Sequence, residues 1–266
     1  MHEFKFSRAT SLADAAARFK TADEAKFLAG GQTLLPVLKQ RLASPSDLID
    51  LDSLKDLAGI VVGPKSITIG AMSRHADVAA HADVRRLIPA LAELAGGIGD
   101  PHVRNRGTIG GSLANNDPAA DYPAAVLGLG ASIKTDQRTI AADDYFQGLF
   151  STALADGEII TAIEFPVPER AGYVKFPHPA SRYCLVAVMV AKTAGGVRVA
   201  VTGAGQEGVF RVSTMEAALG KSFATKAIEG IAVAADNMMT DMHAAADYRA
   251  HLVGVLARRA VTKAGG

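Results

Sequence analysis

Cysteine is almost missing from this chain: Cys184 stands alone among 266 residues. That excludes a disulfide framework, and it excludes a zinc or iron–sulfur site built only from cysteines of this chain. The seven histidines are scattered, and none has another four residues away, so no helical metal pair is present. Neither sign of charge dominates, with 28 Lys+Arg against 27 Asp+Glu. No global field therefore draws nucleic acid or an anionic membrane. The opening residues, Met1 to Ala16, contain no long apolar run. Neither a signal peptide nor a membrane anchor is read there, and a cytoplasmic protein is expected. A Walker loop, H-E-x-x-H and G-x-S-x-G are all lacking. Gly203-Ala-Gly205-Gln-Glu-Gly208 has the G-x-G-x-x-G spacing, but it follows a late strand and runs into extended Val209–Val212. It reads as a turn.

What is present is a globular composition, 49% hydrophobic and 21% charged, at a length that supports one large or two modest domains. The chain opens on a strand, His2–Phe6, and a helix headed by the capping-box pattern Ser11-Leu-Ala-Asp14. A strand over Lys26–Ala29, the pair Gly30-Gly31, a short helix capped by Thr33 and a strand over Leu48–Leu51 follow. Gly59–Val62 and Ser66–Ile69 form a hairpin. Ser73 and Asp83 head alanine-rich helices, and Asp117 caps a helix with Pro118 in its first turn. Ala131–Lys134, Arg138–Ile140 and Glu158–Phe165 read as strands. Beyond a proline-punctuated passage, Leu185–Lys192 and Val197–Thr202 alternate as strands joined at Gly195-Gly196. A second capping box, Ser213-Thr-Met-Glu216, and three further helical stretches to Lys263 complete a sheet covered by helices. The expected fold class is α+β, with parts at 1–55, 56–172 and 173–266.

Two glycine pairs, Gly30-Gly31 and Gly110-Gly111, each follow an apolar extended segment and precede small polar residues: Gln32-Thr33 and Ser112. Glycine admits positive φ and lets backbone amides approach a ligand without a Cβ in the way. Successive inward amides form an anion-binding concavity, and a helix starting just beyond adds favourable partial charge. Each pair taken singly is equally a tight turn. Two converging loops would suit a pyrophosphate.

Leu28-Ala-Gly-Gly-Gln-Thr-Leu-Leu-Pro36 with Leu48-Ile-Asp-Leu51, and the long run Gly99-Asp-Pro-His-Val-Arg-Asn-Arg-Gly-Thr-Ile-Gly-Gly-Ser-Leu-Ala-Asn-Asn-Asp-Pro-Ala-Ala-Asp-Tyr-Pro123, carry a resemblance. Together they resemble the FAD-binding medium subunit of the molybdenum hydroxylases, the carbon monoxide dehydrogenase and xanthine dehydrogenase type. Val201–Ala204, Val209–Arg211 and Glu216–Leu219 are similar to that family's C-terminal domain. The resemblance spans nearly the whole chain.

The resemblance implies that Ala29, Gly30, Gly31, Gln32 and Thr33, with Leu28 nearby, hold the FAD pyrophosphate together with Thr108, Ile109, Gly110, Gly111 and Ser112. It makes Asp121 the acceptor for flavin ribityl or ribose hydroxyls, a role that suits an acceptor-only carboxylate. Ile160 or its neighbour Ile159 lies near the flavin ring, and Lys175 and Tyr183 fall in a segment approaching the isoalloxazine. Here Pro177-His-Pro-Ala-Ser-Arg-Tyr183 departs from the stretch ending in Gly-Asp-Tyr that many members carry. His75 and His102 lie in or near the binding region. Gln32 stands where relatives often have histidine and cannot form a histidyl–flavin bond, so the FAD is expected to be noncovalent. No catalytic residue and no metal ligand is assigned to this chain. The implied function is electron transfer, from iron–sulfur clusters on a small subunit, supplied by a large molybdopterin subunit, through FAD to an external acceptor. The implied assembly is a dimer of heterotrimers. A self-sufficient FAD-dependent oxidoreductase is the alternative, and a scaffold that has lost flavin is a third.

Overall fold

The computed structural model describes residues 1–266. Strand and helix alternate at first: β1 (Lys5–Arg8), α1 (Leu12–Thr21), β2 (Ala25–Leu28), α2 (Leu34–Lys39) and β3 (Asp47–Asp50). The first and second strands both pair in parallel with β3, which lies between them. Ser11 caps α1, its Oγ accepting from the Asp14 amide at 3.1 Å, while Asp14 reaches back to the Thr10 amide at 2.9 Å. The capping box therefore forms with its return bond displaced by one residue. These strands are short, so the core beneath them is small: Ala9, Ala15, Ala25, Ile49, Leu51, Leu54 and Leu57, completed by distant Ile159.

The middle of the chain holds β4 (Ile60–Val62), β5 (Ser66–Gly70), α3 (His75–Ala80), α4 (Ala82–Leu87), α5 (Pro89–Gly96), α6 (Pro101–Arg104), α7 (Ile109–Asn115) and α8 (Tyr122–Leu129). It continues with β6 (Ser132–Thr135), β7 (Thr139–Ala141), α9 (Ala142–Tyr145), β8 (Phe146–Gly148), β9 (Ser151–Thr152) and β10 (Ile160–Pro166). An antiparallel sheet runs β4-β5-β10-β6-β7, with β8 and β9 a separate two-stranded pair. Its apolar residues share one large core with α8, which is buried all round. A helix apolar on every side has to lie between two layers.

The second layer is the antiparallel sheet of β11 (Arg170–Pro177), β12 (Cys184–Thr193), β13 (Gly196–Gly205) and β14 (Gly208–Arg211), followed by α10 (Ser213–Lys221) and α11 (Ala246–Lys263). Strand β12 is buried on both faces. Ala187, Met189 and Ala191 face the core around α8, and Val186, Val188 and Val190 face the core under α10 and α11. That alternation follows from the two-residue period of a strand. Gly128 in α8 permits the contact, because a Cβ there would come 2.7 Å from Met189 Cγ.

Several expectations are corrected where a tertiary partner outcompetes a local cap. Ser73 does not cap α3; it is buried, and its Oγ exchanges hydrogen bonds with the Gly59 amide (3.0 Å) and carbonyl (3.1 Å). Helix α4 is headed by His81 rather than Asp83. Thr33 occupies the N-cap of α2 without a side-chain cap bond. The pattern at Ser213–Glu216 makes no capping box, since Glu216 accepts instead from the Val199 amide at 2.9 Å and from Arg211. Of the three C-terminal helical stretches only α11 is an α-helix; Thr225–Ile228 is one 3-10 turn and 229–245 is irregular. That irregular chain is fastened by the Met239 amide to the Ala204 carbonyl (2.8 Å) and by buried Arg249, which reaches Leu185 O (2.7 Å) and Asp241 Oδ2 (2.7 Å).

Candidate functional site

The two glycine pairs come together, but by different devices. Gly31 is left-handed, at φ +73°. It turns the chain from β2 into α2, and the amides of Gly30, Gly31, Gln32 and Thr33 find no acceptor in the chain. Successive free amides around one left-handed residue make a concavity suited to an anion. Gln32 and Thr33 are exposed, and Leu28, Ala29, Gly30 and Gly31 are half-buried, so the concavity opens to solvent. A Cβ on Gly30 would run into the Arg106 carbonyl oxygen, with Gly107 Cα at 2.8 Å. That contact brings the second segment beside the first.

Gly110-Gly111 is not the expected open loop. It lies in the first turn of α7, and neither residue has positive φ. The Ile109 amide donates to Ser73 O (3.1 Å), the Gly110 amide to Ala71 O (2.8 Å), the Gly111 amide to the capping Thr108 Oγ1 (3.1 Å) and the Ser112 amide to Thr108 O (3.0 Å). The first amides of this helix thus have partners already. Gly110 is required by packing, since its Cβ would stand 2.6 Å from Ala71 Cβ. Gly111 faces the first loop, where a Cβ would lie 3.5 Å from Ala29 Cβ. The half-buried Ser112 hydroxyl has no partner within the chain.

Behind this junction runs a line of buried polar side chains. The His75 amide donates to Gly107 O at 3.0 Å, and its ring lies so close that a Cβ on Gly107 would come within 2.6 Å of Nε2. Burial, with the Arg104 charge adding to it, brings the imidazole down to about 4, so it is neutral at pH 7. Its Nδ1 has no partner, and its ring centroid is 5.3 Å from that of Tyr122, whose hydroxyl is equally unpartnered. His102, in α6, remains exposed.

Asp121 precedes Tyr122 and occupies the N-cap of α8 without capping it. Its carboxylate turns instead to β11. Tyr173 Oη donates to Oδ1 at 2.5 Å, and Lys175 Nζ straddles the carboxylate at 2.9 Å from Oδ1 and 3.0 Å from Oδ2. Lys175 also donates to Gly97 O at 3.1 Å. Burial pushes the Asp121 carboxyl up, against the opposing pull of Lys175 and Tyr173. The structure therefore joins Asp121 and Lys175, and it adds Tyr173. The strand carrying Tyr173 and Lys175 is hidden at the sequence level, because Arg170–Pro177 does not alternate cleanly and lies between prolines that read as a connecting passage.

The remaining candidates lie apart from this cluster. Ile160 opens β10 with its side chain in the large core, while Ile159 points into the small N-terminal core. The Ile159 amide and carbonyl are both taken by Asp136, at 2.9 Å each. Tyr183 is 65% exposed at the end of the loop between β11 and β12, and its backbone bonds stay within that loop. Asp117 does not cap a helix. Its Oδ1 accepts from the Ala119 amide at 2.8 Å, closing a turn pinned to β13 by Thr202 Oγ1 through the carbonyls of Pro118 (3.2 Å) and Ala120 (2.8 Å).

A family model described as the FAD binding domain in molybdopterin dehydrogenase matches residues 2–168. A second, the CO dehydrogenase flavoprotein C-terminal domain, matches residues 177–264. The chain belongs to the flavoprotein family of the molybdopterin dehydrogenases. It is 34% identical to the carbon monoxide dehydrogenase medium chain of Afipia carboxidovorans, covering 98% of this chain and 96% of the relative. It is 35% identical to the nicotine 6-hydroxylase medium subunit of Paenarthrobacter nicotinovorans, covering 98% and 97%. In structure it is similar to carbon monoxide dehydrogenase from Hydrogenophaga pseudoflava lacking the Mo-pyranopterin moiety, with a TM-score of 0.89, 33% identity and coverage of 99% and 97%. This chain is thus an FAD-binding oxidoreductase subunit of the kind found in multi-subunit molybdenum hydroxylases. Its identity is nearly equal to a subunit named for carbon monoxide and one named for nicotine, so the likeness points to neither substrate. No helix is long and apolar enough to cross a membrane.

Proposed function

We propose that the free amides of Gly30, Gly31, Gln32 and Thr33 hold the pyrophosphate of FAD, with Leu28 and Ala29 lining the approach. This run of unsatisfied donors is the observation that carries the reading. Thr108, Ile109, Gly110, Gly111 and Ser112 form the opposite wall. There Ser112 offers a free hydroxyl, and the first three residues set the helix close enough for Gly111 to face the ligand. Asp121 accepts from the cofactor's sugar-type hydroxyls, Lys175 supports Asp121, and Ile160 and Tyr183 border the ring. Gln32 forms no bond to flavin, so the cofactor is noncovalent. The parts at 1–55 and 56–172 serve as the two FAD-binding subdomains, and 173–266 as the C-terminal domain.

Bound FAD supplies the capacity to take electrons singly and release them in pairs; the protein supplies position and electrostatics. We infer that the electrons come from iron–sulfur clusters on a small partner subunit, fed by a molybdopterin centre on a large one, and leave to an external acceptor. A dimer of heterotrimers in the cytoplasm is part of the same proposal. The lone, buried Cys184 supports this division, since this chain has no thiolate set for a cluster.

The test is an absorption spectrum of the purified chain and identification of the chromophore that acid releases. Flavin bands and free FAD in the supernatant are expected. Flavin left on the precipitated protein would overturn the noncovalent assignment, and a colourless chain that takes up no added FAD would overturn the cofactor site. Co-purification of iron and molybdenum with co-expressed partners tests the assembly; their absence from a stable complex counts against it.

A further inference from the structure

The Asp121 carboxylate keeps acceptor capacity beyond its partners in the chain, and a side chain outside the assigned site fixes its plane. Lys175 Nζ donates to Asp121 Oδ2 and to Gly97 O and stands 2.9 Å from Oδ1 as an ion-pair contact. Oδ1 accepts from Tyr173 Oη. Oδ2 accepts only from Lys175. Each oxygen of this 5%-exposed residue therefore has one hydrogen bond and one lone pair left, in a plane fixed by the two partners.

We propose that Tyr173 is a positioning residue of the cofactor site: its hydroxyl, donating to Oδ1, fixes the plane in which the Asp121 carboxylate meets a cofactor hydroxyl and favours the ionised form that accepts from it. This rests on the reading of Asp121 as a cofactor ligand. Tyr173 is suited to the task because it is itself buried in β11 and its backbone is paired to Met189 of β12, so the phenol has little freedom. Burial, with the Asp121 charge adding to it, pushes the phenol well up, so the hydroxyl stays a donor throughout the working range. The other titratable groups that sense Asp121 are Tyr122 in α8 and Cys184 in β12. Burial pushes both up, so both are neutral, and Lys175 is the one charge against the carboxylate. Lys263 of α11 reaches only the Tyr173 carbonyl, at 3.2 Å, and pairs with Glu93.

The experiment titrates FAD into the full-length chain across the whole pH range in which it stays folded, following flavin fluorescence, for the native protein, Tyr173→Phe and Asp121→Asn. Affinity in the native chain falls as pH drops and Asp121 takes a proton. Tyr173→Phe removes a bond that favours the ionised carboxylate, so it weakens binding about tenfold at pH 7, on the order of one charge-assisted hydrogen bond. It also moves the pH midpoint upward. Asp121→Asn weakens binding and abolishes the midpoint. A Tyr173→Phe profile superimposable on the native one, with Asp121→Asn impaired, overturns the role of Tyr173 and leaves Asp121 in place. An Asp121→Asn variant of native affinity overturns the reading of Asp121 itself. If the phenylalanine variant does not fold, a fluorinated tyrosine placed at 173 keeps the shape and makes a stronger donor. The midpoint then moves to lower pH, and an unmoved midpoint overturns the proposal.

Discussion

Gly30 sits so close to the carbonyl oxygen of Arg106 that no Cβ fits between them. This one contact, between residues far apart in the chain, places the segment carrying free amides against the segment that opens α7. The concavity of free amides therefore depends on the close approach at Gly30 as well as on the left-handed turn at Gly31.

Gly30→Ala is expected to weaken FAD binding more than it weakens the fold. The obstructing atoms are backbone, so the loop has to retreat, and overpacking of this kind costs about 1–3 kcal/mol. Thermal unfolding of the FAD-free chain and an FAD titration on the same sample check it. Native affinity with a lowered Tm would mean that the loop does not form the site.

Gly110→Ala and Gly111→Ala should separate packing from binding. The first puts a methyl against Ala71 and its carbonyl, so it lowers stability by about 1–3 kcal/mol. The second meets Thr108 Oγ1 at 3.0 Å and projects toward Ala29, so it raises the Kd for FAD with a smaller loss of Tm. The reverse ranking would return the phosphate contact to Gly110.

Stability should fall as pH drops from about 6.5 to about 4. In that window the unfolded chain protonates its histidine at position 75, whereas the buried imidazole does not, so acid favours the unfolded state. At ~1.4 kcal/mol per pH unit the loss is on the order of 2–3 kcal/mol. His75→Phe flattens this part of a Tm-against-pH curve; an unchanged slope would remove His75 as its source.

A second acid-sensitive step lies lower. Hydrogen bonding from Arg138, with the Ala155 amide and Thr135 hydroxyl, holds the buried Glu158 carboxyl at about 2. Its stabilisation is complete above the ordinary carboxylate value of 4.5 and is lost as pH falls toward 2. Because Arg138 is half exposed, the contribution is only about 1 kcal/mol. Glu158→Gln should lower Tm at pH 7 but leave it nearly native near pH 2, as differential scanning calorimetry would show.

Most strands and the order of the elements were legible because alternation and turn residues are local signals. Caps were read less well. Ser73 and Glu216 have the composition of caps, yet each is held by a backbone group from elsewhere in the chain. Gly110-Gly111 was identified as important for a reason that holds at Gly30-Gly31 instead: one pair turns the chain, and the other admits a helix against Ala71.

The amino-acid sequence by itself determined the family, the lack of any cluster-binding cysteine set and the two glycine-bearing segments. Each is a matter of residue type and spacing along the chain. Only the tertiary structure decided which amides remain free, where Asp121 points, and that Tyr173 and Lys175 share its carboxylate. A hydrogen bond forms only at close range, so partners from distant segments come into play only once packing has brought them within 3 Å or so.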